Sequence, residues 1–348
     1  SYAPIASAPT QHHTTRRDGR RRRMSPAIPD GGFTRSPTPM IVGFTTAMIA
    51  VCVGLVVQGE LNLADASVER VLRSSAELSP QVLLALRCVF AFVILHALIA
   101  RMRAPPTDVT PLRNPLSRTP PATITMRGWV IFSTFTVQSW TLQLVYFMGT
   151  SLLGASRMFG AVPTGSAATV IAAVLWIAFE ISFTVSILVS GVTTYVLIPK
   201  TLRSGQVPTN FFGWPQQAMH NLNVVFMGTE LLLNDLPLNP KHMPLAVLWG
   251  INYVLFSWVW LRKTGIAYYP FLDPTIPPVV SIKVHFVLVS VLSLNFGLGL
   301  AVATAAASLP LAARACFVYS GASTLMWTRL RGVPQPIAVE GGLSGFQG

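Results

Sequence analysis

Seven ionisable side chains fall inside otherwise apolar stretches of this 348-residue chain: Arg87, His96, Glu180, His220, Glu230, Lys283 and His285. A charge or an imidazole surrounded by hydrocarbon is costly, so each must be paired, reach water or do chemistry. Lys283 stands near the end of its stretch, where its aliphatic stem can carry the ammonium out to water. Arg87 and Glu180 form a candidate interhelical ion pair. His96 and His285 lie close to the ends of their stretches and read as structural. His220 differs, because residues 214–273 carry more polar and aromatic side chains than contact with lipid requires. Glycine-rich phosphate loops, clusters with metal-ligand spacing and paired haem-type histidines are absent from the sequence, so neither a metal nor another cofactor is expected.

The stretches that hold these residues define the fold class. Hydrophobic residues make up 51% of the sequence and charged ones only 11%, against about 25% charged in a soluble domain. The apolar residues come in blocks of about 20, which matches the hydrocarbon thickness of a bilayer, and they lack the short alternating pattern of a membrane barrel. The expected fold is all-α, a polytopic transmembrane helical bundle of about seven spans: 40–58, 80–100, 128–150, 167–198, 218–236, 244–262 and 279–305. The fourth block is long for one crossing and should tilt or project. Residues 311–327, with Arg314 and Gly321, read as interfacial, with an eighth span as the alternative. Between the first two spans, Leu61, Leu63, Val68 and Leu72 among charges suggest a short amphipathic surface helix. The six prolines from Pro105 to Pro121 make 101–127 an extended loop. Cys52, Cys88 and Cys316 show no pairing pattern and are expected to be buried and inert.

Charge sets the orientation. The net charge is +13. With the N-terminus on the positive side, 16 of the 25 Lys and Arg fall on that side, seven fall opposite, and Arg87 and Lys283 lie within spans. The basic excess sits beside apolar spans, so membrane lipids rather than nucleic acid are the expected partner. Residues 1–39 form a basic arm rich in Arg, Pro and Ser, expected to be disordered or held by a partner. Its Arg-rich, acid-poor composition fits either a topogenic flank or an organelle transit peptide. The second reading tips the expected location toward a mitochondrial or plastid membrane over the endomembranes. The chain thus divides into the arm 1–39, a span and linker 40–79, a six-span domain 80–305 and a flexible tail within 306–348.

Within 80–305 the sequence resembles the FAR-17a/AIG1-like family of androgen-induced and androgen-dependent membrane proteins. The matching residues are His220 with Glu230 ten residues later, the aromatic helix through Tyr253 and Trp258, and Thr264-Gly265 followed by Tyr269-Pro270-Phe271-Leu272. Upstream, Phe135 to Phe147 resembles the family's threonine helix, with Thr136 and Gln143 seven residues apart. Two features depart from the family pattern: the added N-terminal span with its basic arm, and Val137-Gln138 after the threonine.

The resemblance implies an integral-membrane threonine hydrolase acting on lipid esters such as fatty acid esters of hydroxy fatty acids. Carried over by motif, Thr136 is the nucleophile and His220 its general base. Both helices should run outward from the positive side, which puts the two residues in the same half of the membrane. Gln143, two turns beyond Thr136, is a supporting residue for a substrate carbonyl, and Asn223 flanks His220. Glu230 lies about 15 Å along the helix from His220, too far to orient its imidazole, and is expected at a second polar cluster or on Arg87. A second reading takes the chain as a non-catalytic accessory subunit of a large membrane complex, respiratory or photosynthetic, with the arm making the contacts.

Overall fold

The computed structural model of the protein describes residues 37–58, 61, 63–306 and 308–327. The basic arm up to residue 36 and the tail from 328 lie outside the described residues, and so do the expectations placed on them. The described chain is mostly helical, with one two-stranded ribbon. Helix α1 is Pro39–Gln58, α2 is Val68–Leu72 and α3 is Pro80–Arg103. After the ribbon come α4 (Phe135–Met158), α5 (Gly165–Val192) and α6 (Ile198–Arg203). Next are α7 (Trp214–Gln217), α8 (Asn223–Leu233), α9 (Met243–Thr264), α10 (Pro278–Ala306) and α11 (Leu311–Leu325).

Local chemistry sets the helix ends. Ser79 caps α3 by accepting from the Val82 amide, with Pro80 in the first turn, where its missing N–H costs nothing. Ser67 caps α2 in the same way through the Arg70 amide. Helix α9 stops at Gly265, which adopts φ +76° and returns its amide to the Leu261 carbonyl, a left-handed ending that glycine takes without strain. A π-turn over Thr193–Leu197 joins α5 to α6. Its wider hydrogen-bond spacing accommodates Pro199 and leaves the helix otherwise unbroken.

Among the described residues, five helical segments are long and apolar enough to cross a membrane: Pro39–Gln58, Pro80–Arg103, Gly165–Arg203, Pro240–Thr264 and Pro278–Ala305. The protein is an integral membrane protein of helical class. The other two expected spans are also helical but more polar. Helix α4 buries Ser139, Gln143, Thr150 and Ser151, and the run through α7 and α8 buries Asn221, Asn223, Thr229 and Glu230. The long fourth block extends to Arg203, 39 residues in all, or roughly 58 Å at 1.5 Å per residue, well beyond a hydrocarbon core of about 30 Å.

Several expectations change. The apolar run 128–150 does not begin as an α-helix. Gly128–Ser133 is a 3-10 segment, and α4 starts only at Phe135, so Thr136 is its second residue rather than two turns in. Residues 311–327 form helix α11 (Leu311–Leu325) and its end. The helix lies lengthwise and antiparallel on α8, with Thr229 bonded to Tyr319 at 2.7 Å and the Trp327 carbonyl accepting from Asn221 and Gln217. Helix α2 turns Val68, Val71 and Leu72 into the bundle core instead of resting on a surface. Cys52 is buried as expected, but Cys88 and Cys316 are exposed on the bundle's outside.

The ribbon pairs β1 (Thr107–Val109) with β2 (Ile124–Met126), antiparallel, and folds the proline-rich loop back on itself. Asp273 fastens this loop. Its carboxylate accepts from Ser117 and Thr119 of the loop, and from the Thr275 amide at 2.8 Å. Asp273→Ala removes the acceptor that gathers these hydroxyls, at a cost of about 1–3 kcal/mol for the stranded buried groups. Proteolysis within 110–123 is therefore expected to speed up roughly tenfold while the bundle's melting temperature changes little. An unchanged cleavage rate would show that the prolines alone hold the loop.

Candidate functional site

The sequence-predicted site residues separate into three places. Glu230 belongs to a buried ionic cluster. Its Oε1 accepts from Arg87 Nε at 3.0 Å and Nη2 at 2.5 Å, from the Tyr146 hydroxyl at 2.6 Å and from Asn234 at 3.2 Å. Arg87 and Glu230 are each 1% exposed. Of the two partners expected for Arg87, Glu230 is the one it meets, and the Arg87–Glu180 pair does not form. Glu180 instead holds His242, whose Nδ1 lies 2.6 Å from Oε2, and accepts the Asn239 amide at 2.6 Å. Both carboxylates act as interhelical ties, and His242 is a structural histidine absent from the sequence candidates.

His220 and Asn223 lie together against α5. The π-turn Ala218–Leu222 carries His220, and the Ser190 hydroxyl donates to the His220 carbonyl at 2.6 Å. The same hydroxyl bonds Asn223 Oδ1 at 2.8 Å, so Asn223 fixes the turn that presents the imidazole. The His220 ring lies 5.8 Å from that of Phe211. Met219 and Ala218 pack in one apolar cluster with Val137 and Trp140, the residues around Thr136 on α4. Gln143 is buried on the same face of α4, and its Oε1 has no hydrogen-bond partner among the described residues.

Thr136 itself lines a narrow apolar groove of about 80 Å³. Its walls are Phe44 and Met48 of α1, Val189 and Val192 of α5, Val254 of α9 and Leu288 of α10. The first span, outside the family resemblance, is thus one wall of the groove. Polar groups on the groove are few: Thr45, Thr136, Thr193, Tyr253, Tyr269 and His285. His220 is not among the lining residues. It lies behind the same turn of α5, because Ser190 holds it while the neighbouring Val189 and Thr193 line the groove.

Position in α4 suits Thr136 to nucleophilic chemistry. The second residue of a helix sits among amides without intrahelical acceptors, in the positive end of the helix dipole, where negative charge on oxygen is stabilised. Tyr269 lies against it. Burial pushes the Tyr269 phenol up, and the side chain and backbone of Thr136 hold it down by less, so the phenol stays protonated at neutral pH and is a donor. Tyr253 is fixed by donating to the Ser133 carbonyl at 3.1 Å, and its ring meets that of Tyr269 at 5.8 Å.

His285 is the other polar group of the groove, and sequence reasoning took it for a structural residue. Its Nδ1 lies 2.6 Å from the Ser281 carbonyl, which requires a proton on Nδ1 and leaves a lone pair on Nε2. Nε2 is buried and has no partner among the described residues. No spacing in the sequence signals this, since His285 and Thr136 come to one groove only through the packing of α10 against α5 and α9.

The fold and groove define a class: an integral membrane protein with an apolar groove inside the bundle and a hydroxyl nucleophile candidate on its wall. The chain matches no family model, no curated protein and no solved structure.

Proposed function

We propose that the protein is a membrane-embedded lipid-ester hydrolase, with Thr136 as nucleophile and His220 as general base. The observation that carries the reading is the position of Thr136, at a helix N-terminus on the wall of an apolar groove. The resemblance to the FAR-17a/AIG1-like family names the same residue. Seven spans, with α4 and the α7–α8 run as the two polar ones, place Thr136 and His220 in the half of the bilayer on the N-terminal side. An organelle membrane, mitochondrial or plastid, fits the Arg-rich arm.

The ester enters sideways from the bilayer with its acyl chain in the groove. The Thr136 hydroxyl oxygen bonds to the ester carbonyl carbon while its proton passes to the imidazole. The carbonyl oxygen gains the negative charge, which the α4 N-terminus and the Tyr269 phenol stabilise. The bond to the leaving alkoxide then breaks, and the imidazole returns the proton to it. Water attacks the acyl-threonine by the reverse order of transfers, releasing the acid and restoring the hydroxyl.

Purified protein in nanodiscs is expected to be labelled by an alkyl fluorophosphonate and to cleave a fatty acid ester of a hydroxy fatty acid. Thr136→Ala should lose labelling and lower turnover roughly a thousandfold or more, while Thr136→Ser keeps both in part. Labelling that persists in Thr136→Ala would remove Thr136 from the role.

The absence of His220 from the groove lining favours a second reading, in which the chain keeps this frame as a non-catalytic accessory subunit of a larger membrane complex. A wild-type protein that neither labels nor turns over, but co-purifies with other subunits through its arm, would support that reading.

A further inference from the structure

Between the outer ends of α3 and α4, away from the Thr136 groove, lies a second cavity of about 320 Å³. Its polar lining is Gln81, Arg87, Thr150 and Arg157, and its apolar lining includes Leu84 and Met158. Arg87 forms part of the cavity wall with its guanidinium only partly used. Nε and Nη2 both bind Glu230, Nη2 also donates to the Tyr146 hydroxyl, and Nη1 has no hydrogen-bond partner among the described residues. The guanidinium of Arg157, exposed in the last turn of α4, has neither an ion pair nor a hydrogen bond among the described residues. The first turn of α3 adds Gln81 to the wall and the positive end of a helix dipole to its field. Gly154 keeps the cavity walls close, since a Cβ there would stand 2.7 Å from Leu84 Cδ1.

We propose that this cavity binds a phosphate monoanion, supplied either by the headgroup of an acidic phospholipid or by a soluble phosphodiester. Charge balance argues for a single negative charge. Glu230 neutralises Arg87, which leaves the Arg157 cation uncompensated, and a phosphodiester carries one negative charge. Arg87 Nη1 and the Arg157 fork supply the planar donors that match phosphate oxygens. The cavity lies at the ends of two membrane helices with Leu84 and Met158 on its walls, so a phospholipid can keep its glycerol and upper acyl carbons against apolar surface. The site is independent of any hydrolysis at Thr136, and nothing in the ester chemistry requires it.

The test uses the full chain in nanodiscs, with native mass spectrometry reading the lipid retained after release from the disc. Phosphatidylglycerol mixed with phosphatidylcholine should be retained preferentially by the wild type. Arg157→Gln and Gln81→Leu should each reduce that preference, Arg157→Gln by about tenfold, the loss of roughly 1.4 kcal/mol of charge-assisted contact. Both positions lack structural partners, so the melting temperature in phosphatidylcholine alone should not move, and this controls for folding. Dimethyl phosphate, a soluble phosphodiester monoanion, added to phosphatidylcholine discs separates the two sources. A rise in melting temperature in the wild type, absent in Arg157→Gln, assigns the site to a soluble phosphodiester. Retention of phosphatidylglycerol without that rise assigns it to lipid. Equal retention of the two lipids with no response to dimethyl phosphate, or full retention in Arg157→Gln, would overturn the proposal.

Discussion

Glu230→Ala is expected to destabilise the folded protein by about 3–5 kcal/mol, the range for stripping one partner from a buried ion pair. The carboxylate is the shared acceptor for Arg87, Tyr146 and Asn234, all of them buried. Its loss strands a guanidinium in the bundle interior, which costs more than the missing hydrogen bonds themselves. Arg87→Met should be similarly damaging, because it leaves the carboxylate charge without its cation. The double variant Arg87→Met with Glu230→Leu should recover most of the loss, since an apolar pair of similar volume replaces both charges and neither desolvation penalty remains. Thermal unfolding in detergent, read by tryptophan fluorescence, gives the four corners of the cycle. If each single variant melts with the wild type, the pair carries no structural weight and α3 is held to α8 by apolar packing alone.

That pair also marks the limit of what the sequence reveals. The presence of an intramembrane charge on each of α3, α5 and α8 is legible, since Arg87, Glu180 and Glu230 interrupt apolar runs. Which two meet depends on helix rotation and neighbour order, and no single sequence encodes these at that resolution. Glu180 and Glu230 were both candidate partners of Arg87; Glu230 meets it, while α5 turns Glu180 toward His242 and the loop before α9. Helix extents were nearer the surface of the sequence. Blocks 40–58, 80–100, 244–262 and 279–305 became α1, α3, α9 and α10 within a few residues, because hydropathy and helix length share one cause, the bilayer thickness. The start of α4 was hidden, since Gly128–Ser133 reads as a continuation of the same apolar run. The structure winds that segment as a 3-10 turn, with Gly128 at φ +49° and the Ser133 hydroxyl bonded to Tyr268. The shift places Thr136 at a helix N-terminus. The π-turn under His220 was equally invisible, because a change from i+4 to i+5 bonding leaves no mark in composition.

The imidazoles of His220 and His285 are expected to separate by kinetic signature. His220 lies behind the turn of α5 that lines the groove, in the π-turn whose Met219 packs with the residues flanking Thr136. As general base it moves a proton in the transition state, so His220→Gln should lower kcat by about 10²–10⁴-fold with KM little changed. His285 has a different posture. Its Nδ1 is committed to the Ser281 carbonyl, and Nε2 offers a lone pair to whatever fills the groove. A substrate hydroxyl or protonated carboxyl is the fitting partner, and His285→Gln should therefore raise KM and leave kcat nearly intact. Melting temperatures of both variants check that folding is preserved. The reverse pattern, with kcat lost in His285→Gln and unaffected in His220→Gln, would transfer the base to the groove-lining histidine. Catalysis would then depend on α10 rather than on the His–Glu helix that the family resemblance singles out. The first span, whose Phe44 and Met48 close the groove beside His285, would in that case help to shape an active site particular to this chain.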